Sequence, residues 1–376
     1  MEYRVLLAES DRSMLERLCQ VVDDTPNFTL AAKFQNVSDA LGQGAVFNPN
    51  LILLDIEQPG GMGLVDAFKK VYPAASILCM GDKWQAESAS GSIKAGAKGY
   101  IIKPFSGVEL QESVDAFSRL GSDGSAEILV FFSPKGKSGK TTLIANLAMS
   151  LARKSGEPVG IIDADLQFGD MAVFFNLAAQ TTIVEAVRDI RFLSPASLSS
   201  YYMPVAPNVS VLCGTRTPNM IDKVAIDKLE NLIAMSRGLF RYILIDVPAG
   251  FNPTSIAAAE ASNTTFLVSM INGAYEIDHM KRALHIFRDW EDMENRAKVI
   301  FTRVEPCDAQ ARLELSQKLG YPVTEIIPND YAIVSDAADK GKMATDIRPD
   351  SPLSRQVDRL ADNIIGRKHR IRWAGV

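Results

Sequence analysis

The residue types at positions 133–142 give the strongest indication of chemistry in this chain, reading Ser-Pro-Lys-Gly-Lys-Ser-Gly-Lys-Thr-Thr. An apolar run precedes them, and a stretch with helical spacing follows. A strand, a loop of small residues and a helix in that order form a cradle whose backbone N–H groups and positive helix end face a phosphate. In such a loop Lys140 reaches the β- and γ-phosphates of a nucleoside triphosphate, and the Thr141 hydroxyl binds Mg²⁺. The pattern therefore predicts a site for a magnesium nucleotide.

The loop departs from the general pattern G-x-x-x-x-G-K-[ST] in two ways. Pro134 stands where the first glycine is expected, and it removes one N–H donor. Two further lysines, Lys135 and Lys137, precede Lys140. The charge of Lys137 either holds phosphate more tightly or points to solvent. We expect nucleotide binding to be retained and turnover to be slow.

Carboxylates follow two apolar runs in the second half of the chain. Asp163 and Asp165 come at the end of 159–162, and Asp246 ends 242–245. Carboxylates at the carboxyl edge of parallel strands face the ligand crevice. An acid there and the loop threonine can share one Mg²⁺, directly or through water. Asp163, Asp165 and Asp246 are therefore candidate acids for this crevice.

Two sets of alternating strand and helix patterns position these residues. The first set lies within residues 1–120 and the second within 126–376, and Gly-Ser-Asp-Gly-Ser at 121–125 is a linker by composition. Alternating strands and helices indicate doubly wound parallel sheets. We therefore predict two α/β domains, the second carrying the nucleotide loop.

The first predicted domain has its own cluster of candidate residues. Glu9 ends the first strand, Asp55 ends the third, and Lys103 follows the fifth. A carboxylate that accepts a phosphoryl group needs Mg²⁺, an ammonium group and a switch hydroxyl nearby. Glycine, at Gly81, occupies the place of that hydroxyl, and Asp11 is one position out of register for a second acid. The pattern favours a domain kept for protein contacts over one controlled by phosphorylation.

Composition excludes several classes of protein. The chain has 376 residues, 47% hydrophobic and 23% charged, with a net charge of −5. Neither predicted domain is basic overall, so general attraction to nucleic acid is not expected. Its four dispersed cysteines and three histidines suggest reduced thiols and no metal cluster. The chain opens directly into a strand pattern and contains no apolar run near ~20 residues, which predicts a cytoplasmic protein without a signal peptide or membrane span.

The loop and the acids of the second predicted domain resemble those of the MinD/ParA ATPases. Lys-Gly-x-x-Gly-Lys-Thr at 135–141 looks like the deviant Walker A loop of that family, and Asp246-Val247-Pro248 looks like its Walker B segment. The resemblance implies ATP and Mg²⁺ as cofactors, with two protomers enclosing two ATP molecules. It implies that Lys135 reaches the partner's phosphates and that Asp165 orients the attacking water. It also implies that Asp163 and Asp246 serve the magnesium region. The nucleotide contacts implied are Lys135, Gly136, Lys137, Ser138, Gly139, Lys140, Thr141 and Thr142, with Arg303, Pro328 and Asn329.

The first predicted domain resembles a response-regulator receiver, with Asp55 at the phosphoacceptor position and Lys103 at the family's lysine position. The two domains together are similar to the TadZ/CpaE proteins of tight-adherence pilus assembly, and Asp-Ala-Asp-Leu-Gln-Phe-Gly-Asp at 163–170 is especially like that group. The resemblance implies a homodimer at the cell pole, on the inner face of the membrane. The implied partners are a pilus secretion ATPase and inner-membrane pilus assembly proteins, with peripheral membrane contact at most.

Two other functions fit the same motifs. A ParA-type partitioning ATPase would bind DNA non-specifically and with strong salt dependence, although we expect no nucleic-acid partner here. A phosphorelay regulator would respond to phosphorylation of Asp55. The basic segment at 366–373, Gly-Arg-Lys-His-Arg-Ile-Arg-Trp, is either a solvated tail or a weak contact with a membrane surface or a partner.

Overall fold

A computed structural model of the chain describes residues 2–83, 85–119, 126–190, 193, 195–215, 217, 224–290 and 292–371. These residues form two compact units, one comprising the chain up to residue 119 with the described residues of 189–200 and 234–239, and the other comprising the described residues of 126–188, 201–233 and 240–371. The predicted linker at 121–125 lies outside the described residues. So does the basic C-terminal segment from residue 372, together with the side chains at 367–371.

The first unit is an α/β unit in which strands and helices alternate. Its strands are β1 Tyr3–Ala8, β2 Phe28–Phe34, β3 Leu51–Asp55, β4 Ser76–Gly81 and β5 Gly99–Ile102. Its helices are α1 Arg12–Asp24, α2 Val37–Gln43, α3 Gly63–Val71, α4 Ala86–Lys94 and α5 Gly107–Arg119, with a 3₁₀ turn at Gly44–Phe47. All pairings described in this sheet are parallel, and its order is β2-β1-β3-β4-β5.

The central strand β3 is buried along its whole length, because apolar helix faces cover both sides of the sheet. This burial explains its continuous apolar sequence. Parallel strands place their carboxyl ends at one edge, so Glu9, Asp55 and Lys103 follow β1, β3 and β5 at the same edge of the sheet.

The second unit continues the alternation around a larger sheet. Its strands are β6 Glu127–Phe132, β7 Val159–Asp163, β8 Met203–Ala206, β9 Val209–Leu212, β10 Tyr242–Asp246, β11 Thr264–Met270, β12 Ala297–Val304 and β13 Val323–Pro328. The sheet order is β13-β12-β11-β6-β10-β7-β9-β8. Among the described pairings only β8–β9 is antiparallel.

The helices after residue 126 connect these strands. They are α6 Lys140–Ser155, α7 Met171–Phe174, α8 Ile183–Asp189, α9 Pro195–Leu198, α10 Ile226–Ser236, α11 Pro253–Glu260, α12 Tyr275–Ile286, α13 Met293–Arg296, α14 Ala309–Leu319, α15 Tyr331–Asp339, α16 Ala344–Ile347 and α17 Pro352–Ile371. Turns of 3₁₀ helix occur at Ser199–Tyr201 and Phe287–Asp289. Helix α6 is buried on most of its surface because α17 covers the face opposite the sheet.

The sequence patterns indicated eleven of the thirteen described strands but not β8 and β13, and they indicated only some of the helices after residue 126. Strand β8 is a four-residue edge strand, only partly buried, and so lacks a strong apolar pattern. Strand β13 is interrupted by Glu325, a charged residue that is nevertheless buried. Helix α12 ends at Ile286 and continues as the 3₁₀ turn. No helix within the described part of the chain is long and apolar enough to cross a membrane.

Candidate functional site

The nucleotide loop connects the central strand β6 to helix α6. Gly139 directly precedes the helix with φ 78°, a left-handed conformation that glycine adopts without steric cost. The first N–H groups of α6 have no partner within the helix and are free to bind an anion. Lys140, the first helical residue, is 8% exposed. This is the strand–loop–helix cradle that the sequence predicted.

The tip of the nucleotide loop is exposed, whereas its inner end is buried. Lys135, Gly136 and Lys137 are exposed, whereas Ser138 is buried. The Ser138 carbonyl accepts a hydrogen bond from Thr302 Oγ1 at 2.7 Å. Lys137 has φ 65°, a left-handed conformation that a glycine at this position would adopt without steric strain. The loop is therefore anchored at its inner end and open to solvent at its tip.

Asp246 connects the loop to the neighbouring strand β10. Its Oδ2 accepts a hydrogen bond from Thr141 Oγ1 at 2.6 Å, and its Oδ1 lies 3.5 Å from Lys140 Nζ. Oδ1 is buried and accepts no hydrogen bond from any described residue. Burial raises the pKa of Asp246, and the nearby Lys140 and Thr141 oppose that rise. One oxygen of this carboxylate is thus available to a cation.

Asp163 is the register partner of Asp246 on the adjacent strand β7 and is fully buried. Its two oxygens accept backbone N–H groups from Asp165 and Met171, each at 3.2 Å. Burial, and then the charge of Asp246, hold the pKa of Asp163 well above its ordinary value. A Cβ on Gly169 would lie 2.4 Å from Asp163 Oδ2, so only glycine fits there. Asp163 orders its own loop, and Asp246 is the acid that contacts Thr141.

Asp165, predicted to orient water, is half-buried. Its Oδ1 accepts backbone N–H groups from Gln167 at 3.3 Å and Phe168 at 3.1 Å. These bonds fix the loop that follows β7. The Lys135 side chain, at the exposed tip of the nucleotide loop, makes no hydrogen bond or ion pair with any described residue, while its backbone carbonyl accepts a hydrogen bond from Ser133 Oγ.

A pocket continues from the inner end of the loop. It encloses about 540 Å³ of empty space, part of it open to solvent. The predicted residues Arg303, Pro328 and Asn329 line it beside Gly139 and Thr142. The wall also includes residues that the motifs did not indicate: Asn146, Thr302, Tyr331, Leu353 and Val357. A largely apolar pocket with a few polar groups is suited to a flat heterocycle such as a nucleobase.

The donors of this site fit a magnesium nucleotide. The cradle supplies N–H groups and Lys140 for phosphate, while Thr141 and Asp246 Oδ1, which accepts no hydrogen bond from a described residue, supply oxygen ligands. No three His, Cys, Asp or Glu side chains within the described residues converge into a ready-made metal site. Magnesium in nucleotide sites needs no such cluster, because it keeps water and phosphate oxygens as ligands.

The first unit carries a second polar cluster at its strand edge. Lys103 Nζ lies 2.7 Å from Glu9 Oε2, 3.0 Å from Asp55 Oδ1 and 3.3 Å from Asp82 Oδ1. Ser10 Oγ also donates to Asp55 at 3.4 Å. Burial alone would lower the pKa of Lys103, but the hydrogen bonds to Glu9 and Asp55 raise it above its ordinary value. Burial raises the pKa of Glu9.

The position expected to carry a switch hydroxyl has no room for one. A Cβ added to Gly81 would lie 1.7 Å from the Tyr100 hydroxyl oxygen and 3.0 Å from Glu57 Oε1. Tyr100 is buried and its hydroxyl donates to the Lys83 carbonyl at 3.1 Å. Asp11, one position out of register for the second acid, caps α1: its Oδ1 accepts the Met14 N–H at 2.7 Å.

These observations define a P-loop nucleotide-binding protein preceded by a receiver domain. Residues 129–343 match the CobQ/CobB/MinD/ParA nucleotide binding domain, and residues 5–115 match the response regulator receiver domain. The chain belongs to the CobQ/CobB/MinD/ParA nucleotide-binding family, with a receiver fold at its N-terminal end.

Known proteins of this family align with the second unit. An uncharacterized ATP-binding protein of Methanocaldococcus jannaschii is 26% identical over 239 residues, 63% of this chain and 87% of that protein. The septum site-determining protein MinD of Helicobacter pylori is 28% identical over 258 residues, 64% of this chain and 91% of that protein. The solved MinD of Pyrococcus horikoshii, complexed with Mg-ADP, has a TM-score of 0.53 at 21% identity, covering 64% of this chain and 96% of that one. That structure supports the fold.

Proposed function

We propose that this chain is an ATP-dependent dimerisation switch that localises the assembly machinery of tight-adherence pili and hydrolyses ATP slowly. One observation carries the switch: Asp246 is buried against Thr141 and Lys140, with one oxygen still without a hydrogen bond. A nucleotide with its metal completes this arrangement. Membership of a nucleotide-binding family supports the same conclusion.

In this proposal each residue of the site has a separate role. Lys140 and the N-terminal N–H groups of α6 bind phosphate, while Thr141 and Asp246 hold magnesium. The metal, when bound, neutralises charge on the phosphate oxygens. Asp163 keeps the loop after β7 in place through its two backbone hydrogen bonds. Lys135 reaches the partner's phosphates and Asp165 orients water.

Slow turnover follows from the composition of the loop. Pro134 offers no N–H to phosphate, and Lys137 occupies a left-handed position where glycine would be unstrained. One oxygen of Asp165 already accepts hydrogen bonds from two backbone N–H groups. These features favour a protein whose signal is whether ATP or ADP is bound. Such a protein does not need rapid hydrolysis.

The experiment for the switch is sedimentation of the full chain with ADP-Mg²⁺ and with ATP-Mg²⁺, beside a steady-state ATPase assay on the same preparation. We expect ATP to produce a dimer and hydrolysis to be slow. The same oligomer in both nucleotides would refute the switch, and fast turnover would refute the slow step.

The pilus role rests on the order of the two domains and on the sequence at 163–170. Relatives named septum site-determining proteins support a role in placing other proteins within the cell. Removal of the protein should abolish polar foci of a labelled pilus secretion ATPase, and the unaltered chain should restore them. Normal foci in its absence would exclude this role. Genes for a pilin and a secretion ATPase beside its own would be the quickest support.

A DNA-partitioning ATPase is the first alternative. Basic and acidic side chains are mixed along α12 and the 3₁₀ turn that follows it, where Lys281, Arg282 and Arg288 are accompanied by Asp278 and Asp289. This mixture does not form the basic face that non-specific DNA binding uses. Filter binding with plasmid DNA at low and high salt separates the two functions: retention that falls steeply with salt would favour partitioning.

A phosphorelay regulator is the second alternative. Asp55 is 1% exposed and is held by Lys103, while the switch position is filled by Tyr100. We propose that this domain makes protein contacts without phosphorylation. Incubation with acetyl phosphate and Mg²⁺ followed by intact-mass measurement should show no adduct. A stoichiometric adduct that Asp55→Asn removes would establish the regulator instead.

A further inference from the structure

Tyr331 is an exposed aromatic residue in the wall of the pocket that continues from the nucleotide loop. It is the first residue of α15 and one of the residues that line the pocket. All nine tyrosines are described, and only Tyr331 and Tyr275 are exposed, at 76% and 78%. Tyr275 does not line this pocket. An aromatic ring thus lies largely in water beside a space suited to a nucleobase.

Local structure fixes the backbone of Tyr331 but not its side chain. Asp330 precedes α15, and its Oδ1 accepts the Ile333 N–H at 3.4 Å, which caps the start of the helix. The Tyr331 side chain makes no hydrogen bond, ion pair or ring contact with any described residue. The ring can therefore change its rotamer without breaking a contact of that kind.

The inner wall of the pocket offers a nucleobase an apolar surface. Leu143 of α6 and Leu353 and Val357 of α17 line it, and each is at most 5% exposed. The pocket is partly open to solvent. A base that lies on these aliphatic side chains keeps its other face in water unless a movable side chain covers it.

Two polar side chains of the wall already have partners within the fold. Asn146 Nδ2 donates to the Thr142 carbonyl at 2.8 Å, and Asn146 Oδ1 accepts the Thr345 N–H at 3.0 Å. Thr302 Oγ1 donates to the Ser138 carbonyl. Neither side chain supplies a flat surface for the base. An aromatic ring supplies one, because its face stacks on the face of a base.

We propose that the Tyr331 ring stacks on the nucleobase and closes the pocket over it, which makes the site selective for purine nucleotides. The proposal rests on the proposed function and names the ligand class of the same site. A purine presents a larger face than a pyrimidine, so it buries more of the ring and of its own surface. The ring is exposed in the free protein and covered when the base is bound.

The test compares full-length variants at this position. Tyr331→Phe keeps the ring and Tyr331→Ala removes it. Tyr275→Ala is the matched control, because Tyr275 is equally exposed and is also the first residue of its helix, α12. Both tyrosines are exposed, so all three variants should fold as the parent does, which circular dichroism checks.

Affinity is measured by isothermal titration with ADP, CDP and pyrophosphate, each with Mg²⁺. The diphosphates keep dimerisation out of the measurement, since the proposed switch is monomeric with ADP. Pyrophosphate has no base and reports on the phosphate cradle alone.

The parent should bind ADP more tightly than CDP. We expect Tyr331→Ala to weaken ADP binding about tenfold, which is about 1.4 kcal/mol. Its pyrophosphate affinity should change less than about twofold, because the cradle is intact. Tyr331→Phe and Tyr275→Ala should match the parent with all three ligands.

Four results would overturn the inference. Parent-like ADP affinity of Tyr331→Ala would show that the ring does not contact the base. An equal loss of pyrophosphate affinity would mean that Tyr331 acts on the cradle or the fold. An equal loss in Tyr331→Phe would assign the effect to the hydroxyl group. Equal affinity of the parent for ADP and CDP would exclude purine selectivity.

Failure of the proposed function gives a different pattern. A parent protein that binds none of the three ligands would refute the nucleotide site, and the inference with it. A parent that binds pyrophosphate as tightly as ADP would refute the stacked base alone and leave the phosphate cradle in place.

Discussion

Both sheets of this protein place a lysine and two acids at the carboxyl edge of their strands, but the two clusters are balanced differently. In the receiver unit, Lys103 lies 2.7 Å from Glu9 and 3.0 Å from Asp55 and so forms an ion pair with each carboxylate. In the nucleotide unit, Lys140 lies 3.5 Å from Asp246 alone. The Asp246 Oδ1 atom accepts no hydrogen bond from a described residue.

The same residue types can thus form a closed cluster, in which the acids are paired with a lysine of the protein, or an open one, in which a carboxylate oxygen still lacks a hydrogen bond. Buried carboxylates are stable when a cation and hydrogen bonds compensate them. Lys103 provides part of that compensation within the receiver, where burial still raises the pKa of Glu9. In the nucleotide unit, the Asp246 oxygen that accepts no hydrogen bond from a described residue leaves part of it to a ligand. The four predictions below test this contrast.

Removing the receiver lysine should have the largest effect. Lys103→Met leaves Glu9 and Asp55 buried without their cation, and we expect a loss of about 3–5 kcal/mol in the unfolding free energy of that unit. Hydrogen exchange on the full chain, resolved by peptide, measures it. Lys70→Met, on the exposed face of α3, is the control. A loss below about 1 kcal/mol, the range of exposed ion pairs, would mean the cluster is not closed by Lys103.

Removing the corresponding lysine of the nucleotide unit should affect ligand binding. Lys140→Ala takes away the ammonium group that binds phosphate, and we expect ATP affinity to fall at least about 100-fold, or ~2.7 kcal/mol. Isothermal titration with ATP-Mg²⁺ measures the change. Lys154→Ala, on the same helix and paired with Asp362, should leave affinity unchanged. Equal affinities for both variants would place the phosphates elsewhere.

Restoring a hydroxyl at the receiver's switch position should destabilise that unit. Gly81→Ser puts a Cβ against the buried Tyr100 hydroxyl, and overpacking of this kind costs about 1–3 kcal/mol. The double variant with Tyr100→Leu should lose less than the sum of the single changes, because the second substitution vacates the space. Additive losses, measured by the same hydrogen exchange, would show that Tyr100 does not fill the position.

The smallest effect concerns pH. The folded-state pKa of Asp163 is raised by burial, so folding favours its protonated form. That contribution is complete below the ordinary aspartate value and is lost as pH rises through the raised pKa. The nucleotide-free second unit should therefore gain stability as pH falls, by at most about 1.4 kcal/mol per pH unit for one proton.

Hydrogen exchange at several pH values, corrected for intrinsic rates, gives this slope. ADP-Mg²⁺ should flatten it, because a bound cation stabilises the ionised carboxylates. A slope of the opposite sign in the nucleotide-free protein would show that these acids are already compensated within the chain.

Much of this architecture was predictable from local patterns. Strands β3, β7 and β10 are buried on both faces and therefore read as continuous apolar runs that end in an acid. Phosphate binding requires small residues and lysines at fixed positions in the nucleotide loop. Their spacing is therefore recognisable in the sequence without a structure. Strands β8 and β13 were missed because a short edge strand and a buried charge give no such pattern.

Other features depend on residues that are far apart in the chain. Asn146, Thr302 and Leu353 meet in the pocket only because α6, β12 and α17 pack together. Tyr100 fills the space above Gly81 because β4 and β5 are neighbours in the sheet. No spacing rule connects such positions.

The sequence by itself determined two parallel α/β units, a phosphate loop and which acids end which strands. These features follow from short-range periodicity and from the chemistry of phosphate. Tertiary structure decided that Asp246 contacts Thr141 while Asp163 holds its own loop. It also decided that Lys103 is enclosed by carboxylates and that Lys137 is exposed and strained. Burial and distance between side chains set these properties, and both arise only when distant segments pack.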